Sequence, residues 1–149
     1  MTTSSEFSGS SGSAASPEAT VRALLDHLAA HEVDEALALL TDDVEWRNSG
    51  VPTMRGGRVH ETLRDLVGRG VTFEVRYHHV AVDGGVVLTD RTDVLGYSGW
   101  TTEFRVRGTF ELRDGRVAVW DDSFSWFEAA GSGLANLASV GLDLLRRAR

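Results

Sequence analysis

Two carboxylates and one guanidinium fall on apolar strand faces in the second half of this 149-residue chain. Side chains alternate along a strand, so Arg91 and Asp93 share one face of the predicted strand 86–96. In the predicted strand 116–127, Asp122 is the only charged residue on a face that otherwise carries aromatic residues and an alanine. Two carboxyls in different surroundings can act together as a general acid and a general base. If these faces meet, the arginine can bridge the two acids.

Each of these residues also has a purely structural interpretation. Arg91 and Asp93 are compatible with a surface ion pair, which contributes little to stability. Asp122 is compatible with a strand end or a structural ion pair. Asn48 shares a predicted strand face with Trp46 and is suited either to holding a water molecule or to capping a turn, since an amide both donates and accepts hydrogen bonds. The sequence alone leaves these alternatives open.

The composition excludes several other kinds of site. The chain has no cysteine, which excludes thiolate nucleophiles, disulfides and cysteine-ligated metals, and it has no lysine, which excludes Schiff-base chemistry. The histidines show no metal-binding spacing, and His78 and His79 are predicted on opposite strand faces. We therefore expect neither a metal nor another cofactor. The net charge of −7 disfavours binding to nucleic acid or to an anionic membrane.

Hydrophobic periodicity predicts the elements that position these residues. Helical spacing indicates four helices, which begin at Ser16-Pro17, at His31-Glu32, at about Gly57 and at Leu134. Alternation indicates strands over 44–48, 71–82, 86–96, 101–113 and 116–127, with Asp-Gly or Ser-Gly pairs at hairpin turns. Thr41-Asp42-Asp43 is predicted to end the second helix, and the segment from Ser49 to Thr53 is predicted as a loop because it contains Gly and Pro.

This order predicts an α+β domain in which helices cover one face of a curved sheet. Residues 16–149 are expected to form one domain, and the Ser/Gly-rich residues 1–15 a disordered tail or an added linker. No signal peptide or membrane span is expected, so we predict a cytoplasmic protein. The concave face of such a sheet is suited to a small apolar ligand.

The segment Thr89-Asp90-Arg91-Thr92-Asp93-Val94-Leu95, followed by Gly108 and by Trp120-Asp121-Asp122-Ser123-Phe124, resembles the limonene-1,2-epoxide hydrolase family. The resemblance covers about residues 17–130 and includes an Asn at the end of an early strand. It implies the SnoaL/NTF2-like cone, a curved mixed or antiparallel sheet wrapped by N-terminal helices. The helix predicted from Leu134 is an addition to that pattern.

The resemblance also implies a role for each polar residue. Asp93 matches the acid that protonates the epoxide oxygen, Asp122 matches the base that deprotonates water, and Arg91 matches the bridge between them. Asn48 matches a residue that holds the water, and Trp46 stands where the family has a second water-holding residue, a tyrosine. Ring opening in this family is a single step without a covalent intermediate.

The resemblance further implies an apolar pocket, a homodimer, and a hydrophobic epoxide and water as substrates. The pocket-lining positions are Leu63, Leu66, Leu95, Phe104, Val106 and Phe124. Two alternatives use the same fold: a polyketide cyclase or isomerase, which usually works with one catalytic Asp, and a catalytically silent ligand-binding module.

Overall fold

The computed structural model describes residues 13–125 together with Ala129 and Arg146. Its helices are α1 (Pro17–Ala29), α2 (Val33–Ala38) and α3 (Gly57–Gly68). Its strands are β1 (Leu40–Asn48), β2 (Val51–Arg55), β3 (Thr72–Asp83), β4 (Val86–Tyr97), β5 (Trp100–Arg113) and β6 (Arg116–Phe124). The C-terminal helix predicted from Leu134 lies outside the described residues, except for Arg146. The end of the last predicted strand, which includes Trp126, also lies outside them.

Helix α1 begins where the sequence predicts it. The Ser16 hydroxyl accepts a hydrogen bond from the backbone N–H of Ala19 at 3.1 Å, and Pro17 occupies the first helical position. The residues at helical spacing, Val21, Leu24 and Leu25, are fully buried. None of the described helices has the length and apolar character needed to cross a bilayer.

The six strands form one mixed sheet in the order β2-β1-β6-β5-β4-β3. Strands β3 to β6 are joined by hairpins, as the turn signals predict. At the last hairpin, Asp114 and Gly115 both have positive φ (52° and 76°), which is the geometry of a type I′ turn. Strand β1 pairs in parallel with β6, so the first and last of the described strands are neighbours within the sheet.

Two boundary predictions in the first third of the chain are wrong. Strand β1 begins at Leu40, so Thr41-Asp42-Asp43 belongs to a strand rather than to a helix end. The segment predicted as a loop contains β2, which pairs with β1. Pro52 is tolerated there because β2 lies at the edge of the sheet, where a missing N–H leaves no neighbouring strand unpaired.

The three helices pack on one face of the sheet, called here the helix-covered face. The buried core on this face combines apolar residues of all three helices with Trp46, Phe110 and Trp120 of the strands. The opposite face carries exposed ion pairs such as Arg105 with Asp90. The predicted α+β architecture of N-terminal helices on a curved sheet is confirmed.

Candidate active site

The candidate site lies on the helix-covered face, immediately beyond the aromatic core. Strand pairing places Trp46, Trp120, Phe110 and Val87 in one row across the sheet. The second row, two residues further along β6, contains Asn48, Asp122, Gly108 and Thr89. The third row contains Arg91, and the fourth contains Asp93. The polar residues singled out from the sequence are therefore brought together by register.

Arg91 bridges the two carboxylates. Its Nε donates to Asp93 Oδ1 at 2.8 Å and its Nη2 donates to Asp93 Oδ2 at 3.1 Å. Nη2 also donates to Asp122 Oδ2 at 2.8 Å. The interpretation of Arg91 as a surface residue is wrong, because its exposed fraction is 0% and that of each Asp is 6%.

Two further side chains, Thr89 and Trp120, hold this set in place, and the sequence patterns alone indicate no role for either. Arg91 Nη1 donates to Thr89 Oγ1 at 3.0 Å, so all three nitrogens of the guanidinium are engaged. Trp120 Nε1 donates to Asp122 Oδ2 at 2.7 Å, and its indole is stacked between Trp46 and Phe110. The available signal was spacing: each lies two residues before its partner on the same strand face, and a buried indole N–H needs an acceptor.

Gly108 provides the space that the guanidinium occupies. A Cβ at this position would lie 2.3 Å from Arg91 Nη1, 2.7 Å from Thr89 Oγ1 and 2.9 Å from Asp122 Oδ1. Such distances are too short for any non-bonded contact of a carbon atom. Because Gly108 is paired with both Thr89 and Asp122 across the sheet, it lies directly beneath the bridge between the two acids.

The burial of the site changes the acidity of its groups. Burial raises the pKa of Asp93 to about 6, because it outweighs the opposing effect of Arg91. Burial favours the neutral form of Arg91, but the charges of Asp122 and Asp93 outweigh it and raise the pKa of Arg91 above its usual range. Asp93 therefore exchanges its proton close to neutral pH while Arg91 stays cationic.

Asn48 and Trp46 approach Asp122 from β1. Asn48 pairs directly with Asp122 and is half-buried. Its position is fixed by the following residue: Ser49 N–H donates to the Asp122 carbonyl at 3.2 Å, and Ser49 Oγ accepts from the Phe124 N–H at 3.1 Å. Trp46 is buried, and its Nε1 has no hydrogen-bond partner among the described residues.

Four of the predicted apolar residues lie on the same sheet face as this polar set, in its rows or in the next row. Val106 and Phe124 share the row of Arg91, Phe104 shares the row of Asp93, and Leu95 lies one row further. The Phe104 and Phe124 rings are 5.3 Å apart. On α3, Leu63 belongs to the buried core and Leu66 packs against it.

Both histidines in β3 lie away from this site. A β-bulge between Tyr77 and His79 leaves His78 and His79 exposed, and His78 Nε2 lies 2.7 Å from Thr92 Oγ1.

The sequence also matches a known protein family over most of its length. Residues 15–132 match the family model of the limonene-1,2-epoxide hydrolase catalytic domain. The chain belongs to the limonene-1,2-epoxide hydrolase family. The match spans all of α1 to β6, and it therefore includes every residue of the candidate site.

Two mycobacterial findings agree with membership in the limonene-1,2-epoxide hydrolase family. The chain is 38% identical over 127 residues to the epoxide hydrolase EphG of Mycobacterium tuberculosis strain H37Rv, which covers 85% of each protein. It also resembles the solved structure of a limonene-1,2-epoxide hydrolase-like epoxide hydrolase from M. tuberculosis. That match has a TM-score of 0.73 and 37% identity, and it covers 83% of this chain and 93% of the other.

The fold itself is shared more widely than the family. The solved structure of the epoxide hydrolase/cyclase-like enzyme SalBIII matches with a TM-score of 0.65 at 15% identity, over 75% of this chain and 92% of the other. At that identity the match shows the NTF2-like fold alone. Fold therefore does not separate a hydrolase from a cyclase, whereas family membership does.

Proposed function

We propose that this epoxide hydrolase adds water to a hydrophobic epoxide in one step, with Asp93 as general acid, Asp122 as general base and Arg91 as the bridge between them. The observation that carries the proposal is the buried Arg91 guanidinium, which is within 2.8 Å of an oxygen of each carboxylate. A site with one working carboxylate, as in many cyclases and isomerases, has no need for this bridge.

The hydrogen bonds of Asp122 support its role as the base. Its Oδ2 accepts from both Arg91 and Trp120, so that oxygen is held in place. Its Oδ1 is buried and has no hydrogen-bond partner among the described residues. A free carboxylate oxygen on an otherwise fixed side chain is suited to accepting a proton from water.

Two groups on β1 are suited to orienting that water. Asn48 lies opposite Asp122 in the strand pairing, and Trp46 carries an unpartnered N–H one row below. In our proposal the water donates to Asp122 Oδ1 and accepts from Asn48 or Trp46. The family's tyrosine both donates and accepts, whereas the indole of Trp46 only donates.

The acid Asp93 delivers its proton as the ring opens. A new C–O bond forms from water to one epoxide carbon, and the bond from that carbon to the epoxide oxygen breaks. The water proton moves to Asp122 and the Asp93 proton moves to the epoxide oxygen, which gives a vicinal diol. The total charge of the two acids and Arg91 does not change, and a buried site favours such a charge-neutral exchange.

A single-turnover experiment in heavy-oxygen water tests the one-step reaction. With enzyme in excess, direct attack by water places the label in the diol during the first turnover. A covalent ester to an Asp would instead give an unlabelled diol in the first turnover, since that oxygen comes from the carboxylate. Absence of any diol from terpene, styrene and fatty epoxides would contradict the hydrolase assignment itself.

Asp122→Asn and Asp121→Asn form a matched pair for the role of the base. Asp122→Asn is expected to abolish turnover with the fold intact, because an amide of the same shape cannot accept the proton. Asp121 lies on the opposite face, 44% exposed, with Arg47 at 3.7 Å, so its variant is expected to keep most of the activity. The reverse result would contradict the assignment of Asp122 as base.

We further propose that the enzyme is a homodimer that acts in the cytoplasm. A cysteine-free chain has no requirement for an oxidising compartment, which is compatible with that location. Light scattering on the eluting protein measures the mass of the particle, and a mass of one chain would contradict the dimer.

A further inference from the structure

Tyr77 lies beside the candidate site but takes no part in the reaction described above. It is paired with Arg91 across β3 and β4, so its side chain lies on the helix-covered face. The guanidinium carbon of Arg22, on α1, lies 4.4 Å from the centre of the Tyr77 ring. The ring therefore lies between α1 and the sheet, next to the bridging arginine.

The hydroxyl of Tyr77 is buried and has no hydrogen-bond partner among the described residues. A buried polar group without a partner destabilises a protein, and replacing it by an apolar group of the same shape is close to neutral or stabilising. Burial and the nearby Asp26 carboxylate raise the pKa of Tyr77 to about 12. The hydroxyl is therefore protonated at neutral pH and available as a donor.

A bulge in β3 follows directly after this tyrosine. The register shifts between Tyr77 and His79, and Tyr77 is the last residue before the shift that faces the helices. Bulges of this kind redirect side chains and often occur next to active sites. The bulge leaves His78 and His79 exposed, so the phenol is the polar group that β3 contributes here.

The position of Tyr77 in the sheet separates it from the attacking water. Strand β3 lies next to β4, which carries Asp93, but two strands separate β3 from β6, which carries Asp122. With neighbouring strands about 4.8 Å apart, the backbones of β3 and β6 are about 14 Å apart. A donor on β3 is therefore on the acid's side of the epoxide, beyond the reach of the water held near Asp122.

We propose that Tyr77 determines substrate specificity, by donating a hydrogen bond from its hydroxyl to an acceptor oxygen that the substrate carries away from the epoxide ring. The preferred substrate class is then a hydrophobic epoxide with a ketone, ester or ether oxygen, rather than a pure hydrocarbon epoxide. The inference rests on the proposed function, and it adds the substrate class to it.

The variant Tyr77→Phe tests this substrate specificity with pairs of substrates that differ in a single functional group. Each pair is a cyclic epoxide that carries, at the same carbon not adjacent to the epoxide, either a ketone or an exocyclic methylene group. For at least one pair the wild type is expected to prefer the ketone, and Tyr77→Phe to lower kcat/KM for the ketone by about 10-fold without changing it for the methylene compound. Tyr97→Phe, at the only other tyrosine of the chain, is the matched control.

The melting temperature separates a specificity role from a structural one. Tyr77→Phe is expected to melt at the same temperature as the wild type or above it, since it removes an unpartnered buried hydroxyl. A lower melting temperature with an equal loss of activity on both members of every pair would overturn the proposal. An unchanged preference in every pair would also overturn it.

Binding measurements keep this test independent of epoxide hydrolysis. Cyclic ketones that lack the epoxide, and their exocyclic methylene analogues, are titrated by calorimetry into wild type and Tyr77→Phe. A preference for a ketone that disappears in the variant supports the role of Tyr77 even if no epoxide is opened. If the wild type opens no epoxide but still binds the ketones in preference to their analogues, only the proposed reaction is contradicted. If the wild type shows no such preference, the role of Tyr77 is contradicted.

Discussion

Substituting Gly108 by alanine is expected to damage the site although it leaves the chemical identity of every group that takes part in the reaction unchanged. The added Cβ would lie 2.3 Å from Arg91 Nη1, and ordinary contacts of a Cβ begin at 3.4 Å. The guanidinium would have to retreat by about 1 Å, and a displacement of that size in an active site can lower the rate about 100-fold. We therefore expect kcat to fall by about two orders of magnitude.

The stability of Gly108→Ala follows from the same crowding. Inserting a methyl group into a packed interior costs about 1–3 kcal/mol. Thr89 and Asp122 also lie within 3.0 Å of the added atom, and both belong to strands that flank β5, so a small shift of one side chain does not relieve the contact. Urea denaturation is expected to show a free energy of unfolding lowered by an amount in that range.

A second glycine provides the control for this substitution. Gly68 ends α3, and a Cβ built there has no atom within 4 Å apart from its chain neighbours and the backbone of its own helix. Gly68→Ala is expected to keep the wild-type kcat and to change stability by no more than about 1 kcal/mol, in the stabilising direction. Diol formation at saturating epoxide measures kcat for both variants. An unchanged kcat and an unchanged free energy of unfolding in Gly108→Ala would refute the assigned position of the guanidinium.

Three other outcomes follow from the site. Arg91→Ala is expected to abolish turnover and to lower the free energy of unfolding by about 3–5 kcal/mol in urea denaturation, since two buried carboxylates lose their counter-charge; near-native stability would contradict this. Asn48→Ala is expected to lower kcat by about 10²–10⁴-fold, whereas Trp46→Tyr is expected to raise the rate on small epoxides or to shift the preference toward bulkier ones. If Trp46→Tyr is inactive and Asn48→Ala is unaffected, the indole of Trp46 is the group that holds the water. Because the acid must be protonated, kcat/KM measured against pH is expected to fall as pH rises through the pKa of Asp93 at about 6, and a flat profile there would exclude Asp93 as the acid.

The faces of the hairpin strands could be read from the sequence because alternation and turn residues act locally. Alternation places residues two apart on one face, and β6 pairs regularly with β5 from Val119 to Phe124, although the register shifts between Glu111 and Leu112 nearer the turn. Alternation therefore predicts correctly that Asp122 shares a face with the aromatic residues and that Asp121 lies on the other face. It also predicts correctly that Arg91 and Asp93 share a face.

Contacts between distant segments could not be read in this way. Nothing in the local pattern places β1 beside β6, so Asn48 joins the predicted site only if the strand faces are assumed to line one cavity, an assumption that the family resemblance supports. The sequence does not predict strand β2, because Pro52 is unfavourable in most strands and acceptable only at an edge. The bulge in β3 has no sequence signature in this chain, so alternation predicts opposite faces for His78 and His79, whereas both are exposed in the structure.

The parallel pairing of β1 with β6 also has a consequence for the order of folding. Asn48 and Asp122 are paired although 74 residues separate them in the chain, whereas Arg91 and Asp93 are neighbours on one strand. Closing a long loop costs more chain entropy than closing a hairpin, so the β3–β4–β5–β6 meander is expected to form before β1 docks. Until then Asp122 lies at the edge of the sheet and its side of the site is open to solvent. In a refolding experiment, enzymatic activity is therefore expected to return later than the signal of strand formation.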